Sequence, residues 1–132
     1  MSENELEIFI SKAKYTPEVI LDKTNDLLSF KGVSYPENAS KFYDPIINAA
    51  KNYVNDKTGT INKITIEIDL DYFNTATAGA LYKILYVFND DPKINADLIW
   101  CYEKDDDDLY EAGKDFEYIF KNIKFHIKEK ND

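Results

Sequence analysis

The chain has 132 residues, of which 44% are hydrophobic and 14% aromatic, so we expect one folded domain spanning residues 1–132. This composition excludes a largely disordered or collagen-like chain. Acidic residues outnumber basic ones by 25 to 16, the formal net charge is −9, and every basic residue is a lysine. An acidic chain without arginine is poorly suited to nucleic acid or to an anionic membrane surface, and neither is expected as a partner.

The single cysteine and the start of the chain bear on the cellular compartment. Cys101 is the only cysteine, so no internal disulfide can form. Residues 1–7 are acidic and lack the basic and then apolar pattern of a signal peptide. No window approaches the roughly eighteen apolar residues that a membrane-spanning helix needs. These features favour a cytoplasmic protein.

The first third of the chain predicts short strands separated by turns. Apolar-rich runs over 6–10, 18–21 and 27–31 are each bounded by turn-forming residues. Gly32 is expected to end the third strand, and a loop marked by Pro36 is expected over 34–38.

The middle of the chain predicts a helix, a strand and a second helix. Apolar residues recur at helical spacing over 40–54, where Pro45 is expected either at the first helical position, capped by Asp44, or after a kink. Isoleucine alternates with polar residues over 61–70, which predicts a strand with one buried face. A short junction over 71–74 then leads to a helix over 75–88 that should be largely buried.

The last third of the chain predicts a strand over 96–102, a helical segment near 115–121 and a final strand over 125–128. N-terminal strands followed by alternating helices and strands indicate a single layered α/β domain with a mixed β-sheet.

Common catalytic and metal sites have little support in the sequence. His126 and Cys101 are the only residues of their kinds, so a zinc site of normal spacing cannot be built, and His126 is expected to be a surface residue on a short strand. The acidic run over 105–108 fails the calcium-loop pattern, because the sixth position counted from Asp105 is Tyr110 instead of glycine. We interpret this run as solvated carboxylates near a helix N-terminus. No catalytic residue, metal or cofactor is expected.

An enzyme remains the less favoured alternative. Asp69 and Asp71 close an apolar strand with a spacing that resembles the opening motif of haloacid-dehalogenase-like phosphatases, in which the first Asp is the nucleophile and the second the general acid. Phe73 stands where that family has Thr or Val. Lys83 and the run over 105–108 are nominal matches for the lysine and the magnesium ligands of that family.

The same junction also predicts a helix cap. Asn74, Thr75 and Thr77 lie where a strand stops and a helix begins, and their side-chain oxygens can accept hydrogen bonds from the first helical N–H groups. A phosphate on a hydroxyl here would add about −1.5 to −2 charges, which a helix N-terminus tolerates but a covering partner surface does not. The junction is therefore a cap alone, or a cap that also gates a partner.

Several blocks of the chain resemble the SiaC family of bacterial regulatory phosphoproteins. The most specific are Ser-Tyr-Pro-Glu-Asn at 34–38 and Tyr-Phe-Asn-Thr at 72–75. The matching blocks lie at 15–17, 32–38, 42–43, 71–75, 100–107 and 111–116, in the expected order.

This resemblance implies a non-enzymatic phospho-switch in a cyclic di-GMP signalling system. It implies that Thr75 is phosphorylated by a dedicated protein kinase and dephosphorylated by a PP2C-type phosphatase. Ala76 stands where the family commonly has Ser, which leaves Thr77 as the reserve acceptor. The unphosphorylated protein is expected to bind and promote a diguanylate cyclase.

Residues near the switch are expected to contact the partner. The acidic loops, Glu37 and the run over 105–108, either meet a basic surface of the kinase or cyclase or serve solubility. The switch logic is also similar to that of STAS-type anti-sigma-factor antagonists, which leaves such an antagonist as an alternative. The expected partner-binding residues are Tyr35, Glu37, Asn38, Tyr72, Phe73 and Asn74.

Overall fold

One six-stranded sheet, whose strands lie side by side in chain order, forms the framework of the protein. The computed structural model describes residues 6–59 and 61–130, so most of the acidic start of the chain lies outside it. The strands are β1 (Leu6–Ile10), β2 (Glu18–Asp22), β3 (Leu27–Ser34), β4 (Asn62–Phe73), β5 (Ile94–Tyr102) and β6 (Ile123–Glu129), and the helices are α1 (Ala39–Asp56), α2 (Thr75–Asn89) and α3 (Asp107–Ile119). The predicted α/β domain with a mixed sheet is confirmed.

The direction of the strands determines where the functional edge lies. β1, β2 and β3 pair antiparallel, whereas β3, β4, β5 and β6 pair parallel, with one helix in each connection. Such connections are right-handed, so three successive crossovers in the same direction place all three helices on one face of the sheet. The carboxyl ends of the four parallel strands meet at a single edge, which we call the carboxyl edge.

The core fills the space between the helices and the covered face of the sheet. Alternate residues of β4, from Ile64 to Leu70, are at most 3% exposed, as their spacing predicted. Trp100 in β5 is fully buried, and its indole N–H donates to the Leu109 carbonyl at 3.0 Å. No helix within the described residues is long and apolar enough to cross a membrane.

β3 does not end at Gly32, as the sequence predicted. The strand runs through this glycine to Ser34, and its pairing with β4 shifts between Gly32 and Val33. Gly32 has a φ of +123°, a conformation that other residues rarely adopt, so it bends a strand that continues. β4 is correspondingly longer than predicted and reaches Phe73, which leaves Asn74 alone between β4 and α2.

α1 covers the predicted helix over 40–54 and begins before Pro45, so of the two alternatives for Pro45 the one that starts the helix there is wrong. Asn38, and not Asp44, is the N-cap, because its Oδ1 accepts a hydrogen bond from the Lys41 backbone N–H at 3.1 Å. Pro45 lies inside the helix and cannot donate to the Lys41 carbonyl one turn earlier. The cap and the burial of side chains in the first turns stabilise the helix by more than the missing hydrogen bond costs.

α2 and α3 also depart from their predicted character. α2 buries one face only, and Tyr86 on its other side is 47% exposed. α3 starts at Asp107 instead of near 115, with Asp106 as its N-cap accepting from the Leu109 N–H at 3.0 Å. The acidic run therefore lies near a helix N-terminus as predicted, but two of its carboxylates belong to the first helical turn, where they complement the helix dipole.

Candidate functional site

Thr75 is the first residue of α2, and its side chain is exposed at the carboxyl edge. Asn74 caps the helix: its Oδ1 accepts from the Thr77 N–H at 2.9 Å, and its own N–H donates to the Ser34 carbonyl at 3.0 Å. The first bond within the helix runs from the Ala78 N–H to the Asn74 carbonyl at 3.0 Å. A phosphate on Thr75 would lie beside the N–H groups of the first helical turn, which favour an anion.

Thr77 occupies the opposite environment, although it is only two residues further along. It is 0% exposed, and its Oγ1 donates to the Ser34 carbonyl at 3.1 Å. The same oxygen lies 2.8 Å from Ser34 Oγ, which lies 2.7 Å from the hydroxyl of Tyr43. Burial raises the pKa of the Tyr43 phenol, so this hydroxyl keeps its proton. The packing argues against Thr77 as a reserve acceptor.

Three exposed tyrosines form a continuous aromatic surface at the carboxyl edge, which we call the tyrosine ladder. The rings of Tyr15 and Tyr35 meet edge to face at a centroid distance of 5.1 Å, and those of Tyr35 and Tyr72 at 5.6 Å. The three residues are 47%, 38% and 55% exposed, respectively. The backbone N–H of Tyr35 also donates to the Tyr15 carbonyl at 2.9 Å, which fixes the order of the ladder.

The other predicted partner residues have different environments. Glu37 is exposed, and Asn38 is exposed but caps α1. Phe73 is half-buried, with its ring 5.9 Å from that of Trp100, so it packs against the core more than it faces a partner. Tyr15 was missing from the predicted contact set, although its block is one of those that resemble the SiaC family.

The two aspartates of the phosphatase alternative are held by a lysine from the end of the chain. Lys130 Nζ lies 2.8 Å from Asp69 and 2.9 Å from Asp71, with Glu103 at 3.5 Å. The hydrogen bond to Asp69, with further help from Asp71, holds the pKa of Lys130 well above its usual range. Within the described residues, no group of three or more His, Cys, Asp or Glu side chains could hold a metal ion.

The two residues considered for a zinc site lie in different surroundings. His126 is exposed on β6, as predicted, 3.9 Å from a carboxylate oxygen of Asp97. Cys101 is buried in β5, where desolvation raises the pKa of its thiol and so disfavours the reactive thiolate.

Comparisons with known proteins agree with the resemblance in the sequence. The family model described as SiaC family regulatory phosphoprotein matches residues 10–130. No curated protein sequence matches the chain.

Three solved structures share the fold. A chain in the crystal structure of the diguanylate cyclase SiaD in complex with its activator SiaC from Pseudomonas aeruginosa superposes with a TM-score of 0.80 at 23% identity, covering 93% of this chain and 99% of that chain. Apo-SiaC from Pseudomonas aeruginosa gives 0.75 at 21% identity, covering 96% and 100%. A further SiaC structure from Pseudomonas aeruginosa gives 0.77 at 24% identity, covering 98% and 100%. With a family model that matches nearly its whole length and a fold shared with these structures, the chain belongs to the SiaC family of regulatory phosphoproteins.

Proposed function

We propose that the protein is a non-enzymatic phospho-switch, reversibly phosphorylated on Thr75, whose unphosphorylated form binds and promotes a diguanylate cyclase. The observation that carries the proposal is an exposed threonine at the first position of a capped helix, at the same edge as the tyrosine ladder, in a member of this family. The complex of SiaD with its activator SiaC supports a cyclase as the class of partner.

The local physics explains how a phosphate on Thr75 would switch binding without unfolding the protein. It adds about −1.5 to −2 charges, and the N-terminus of α2 favours negative charge by about 0.3–1 kcal/mol. A partner that covers Thr75 would have to remove water from this dianion, which costs several kcal/mol unless a cation compensates. Modification therefore preserves the fold and weakens the complex.

The partner surface in this proposal is the tyrosine ladder together with Glu37. Tyrosine is enriched among the residues that dominate binding energy at interfaces, because it offers a large rigid surface with a polar tip. A kinase and a PP2C-type phosphatase act on Thr75 at the same edge. We place the protein in the cytoplasm, where the nucleotide substrates of a kinase and a cyclase are found.

The phosphorylation site is tested by incubating the protein with the kinase of its own organism and ATP, followed by site mapping by mass spectrometry. We expect label on Thr75, no label on Thr75→Ala, and wild-type label on Thr77→Val. Full labelling of Thr75→Ala would show that the site assignment is wrong.

The gating is tested by capture of the diguanylate cyclase of the same organism and by cyclic di-GMP production. Wild type and Thr75→Ala should capture and activate the cyclase, whereas Thr75→Glu should not. Thr58→Glu is the matched control, because Thr58 is exposed at the opposite edge and receives the same charge. Equal capture by the two Glu variants would contradict gating, and capture of an anti-sigma factor in place of a cyclase would favour the antagonist alternative.

A further inference from the structure

Two threonines stand two residues apart at the start of α2, and only one of them is available to an enzyme. Thr75 is exposed, whereas Thr77 is 0% exposed and is bound to Ser34, which is bound in turn to Tyr43. Ser34, Tyr43 and Thr77 are each fully buried and come from β3, α1 and α2. We call these three residues the hydroxyl chain.

The proton positions in the hydroxyl chain follow from its geometry. Each hydroxyl has a single proton to donate. Thr77 donates to the Ser34 carbonyl, so for the contact between the two side chains to be a hydrogen bond, Ser34 must donate to Thr77. The Ser34 proton is then used, and Tyr43 must donate to Ser34. The chain therefore has one direction, from Tyr43 through Ser34 to Thr77, and Tyr43 is its first donor.

We infer that the hydroxyl chain determines which threonine is phosphorylated. It keeps Thr77 inaccessible to the kinase, and it fixes the first turn of α2 so that Thr75 is the residue exposed to the enzyme. Tyr43 is its positioning residue, acting on the acceptor from a different helix. The inference rests on the proposed function, because it takes the start of α2 as the substrate of a kinase.

The chemistry of the transfer explains why the hydroxyl chain would discriminate. Transfer from ATP forms a bond between the threonine oxygen and the γ-phosphorus, breaks the bond from that phosphorus to ADP, and sends the hydroxyl proton to a base of the kinase. In Thr77 the proton is held by the Ser34 carbonyl, and the oxygen accepts a further bond. Thr75 occupies the exposed first position of α2.

The size of the discrimination follows from the bonds that must break. Thr77 reaches a kinase only after losing its two side-chain bonds to Ser34 and the bond from its backbone N–H to Asn74. Each hydrogen bond that must break lowers the fraction of molecules with an accessible Thr77 by about fivefold, so three bonds lower it on the order of a hundredfold. We expect wild type to carry label on Thr75 over Thr77 by about that ratio.

The test compares variants that cut the hydroxyl chain with matched variants that do not. Tyr43→Phe removes its first donor and Ser34→Ala its middle link. Tyr53→Phe is the control for the first, because Tyr53 is also buried on α1 but donates to Asp26 at the other end of the helix. Ser29→Ala is the control for the second, because Ser29 is a buried serine of the same strand.

Two readouts are measured on the full chain: the ratio of label on Thr75 to label on Thr77, and hydrogen exchange of the amides over 75–80. We expect Ser34→Ala, which removes one of the three bonds of Thr77, to lower the ratio by about fivefold, and Tyr43→Phe, which removes the donor to Ser34, to lower it by a smaller factor. Both should speed exchange over 75–80 selectively. The two controls should leave both readouts unchanged, even where their loss of overall stability is comparable. In a Thr75→Ala background, Tyr43→Phe should raise the labelling of Thr77.

Failure of this inference can be told apart from failure of the proposed function. If wild type is labelled on Thr75 and the ratio is the same in all four variants, the inference is overturned while the function stands. If neither threonine of wild type is labelled, the proposed function fails, and hydrogen exchange then decides whether the chain positions the first turn. Equal rates of hydrogen exchange over 75–80 in Tyr43→Phe and Tyr53→Phe would show that the hydroxyl chain does not position the first turn of α2.

Discussion

Asn74 Oδ1 lies 2.9 Å from the backbone nitrogen of Thr77, and this one hydrogen bond spans two residues, the first of which, Thr75, carries the proposed switch. The cap uses the side chain of Asn74 and the backbone of Thr77, so it makes no demand on the side chain of Thr75. Asn74 therefore caps the helix, while the neighbouring Thr75 carries the proposed switch. The cap therefore leaves Thr75 available for a second role at the same junction, because Asn74 supplies the cap and Thr75 remains exposed.

Charge at Thr75 should leave the fold almost unchanged. Thr75→Glu is expected to shift the free energy of unfolding by less than about 1 kcal/mol, towards greater stability, because it places a carboxylate at the N-terminus of α2. Urea denaturation of Thr75→Glu beside the neutral Thr75→Gln isolates the contribution of charge. A destabilisation of about 2 kcal/mol or more relative to Thr75→Gln would show that the site senses charge through the fold instead of through a partner.

Removal of the Asn74 cap should have a larger effect than substitution of Thr75. Asn74→Ala is expected to lower the free energy of unfolding by about 1 kcal/mol, because the Thr77 N–H loses its acceptor, and Asn74→Ser should restore most of the loss. Thermal and urea unfolding give the measurement. Asn38→Ala, which removes the equivalent cap of α1, is the comparison and should cost a similar amount. Full stability of Asn74→Ala would mean that the cap contributes nothing.

Local patterns were enough to predict the elements that position the switch. The alternation in β4 and the cluster of Asn and Thr after it placed the start of α2 at Thr75, where the structure has it. The strand end predicted at Gly32 was wrong, and so was the alternative that started a helix at Pro45. Each is a local signal for a boundary, but pairing of β3 with β4 carries the strand past Gly32, and the Asn38 cap starts α1 before Pro45. Pairing with a distant strand decided the first case, and a local cap upstream of the proline decided the second.

The site was harder to predict, because its parts are far apart in the chain. No local pattern indicates that the ring of Tyr15 meets that of Tyr35 edge to face, or that Lys130 forms an ion pair with Asp69. The burial of Thr77 was not predicted, for a similar reason. A threonine in the first turn of a helix is typical of a cap, and only its contact with the distant Ser34 hydroxyl, which is bonded in turn to Tyr43, shows that it is buried.

Two glycines in helices should respond in opposite ways to an added methyl group. Gly113 in α3 lies against Trp100, where a Cβ would come within 2.6 Å of the indole, so Gly113→Ala is expected to lower the free energy of unfolding by about 1–3 kcal/mol. Gly79 in α2 has no neighbour within 4 Å of such a Cβ, so Gly79→Ala should stabilise the protein by about 0.5–1 kcal/mol through helix propensity. Urea denaturation measures both. A loss of stability in Gly79→Ala would contradict the open space seen at this position.

The ion pairs of Lys130 should give stability that disappears in alkaline solution. Hydrogen bonds to Asp69 and then Asp71 raise the pKa of Lys130 in the folded state, so its contribution is fully present below the ordinary lysine pKa of about 10.4 and is lost as the pH rises above that value. At pH 8, Lys130→Met should be less stable than wild type by about 1 kcal/mol. Urea denaturation at a series of pH values measures this difference in the free energy of unfolding between wild type and Lys130→Met. We expect the difference to become smaller above about pH 10.4. Lys63→Met, on an exposed residue of β4, is the control and should be as stable as wild type at pH 8. If the difference in the free energy of unfolding between wild type and Lys130→Met stays constant through pH 11.5, the lysine contributes by packing and not by its charge.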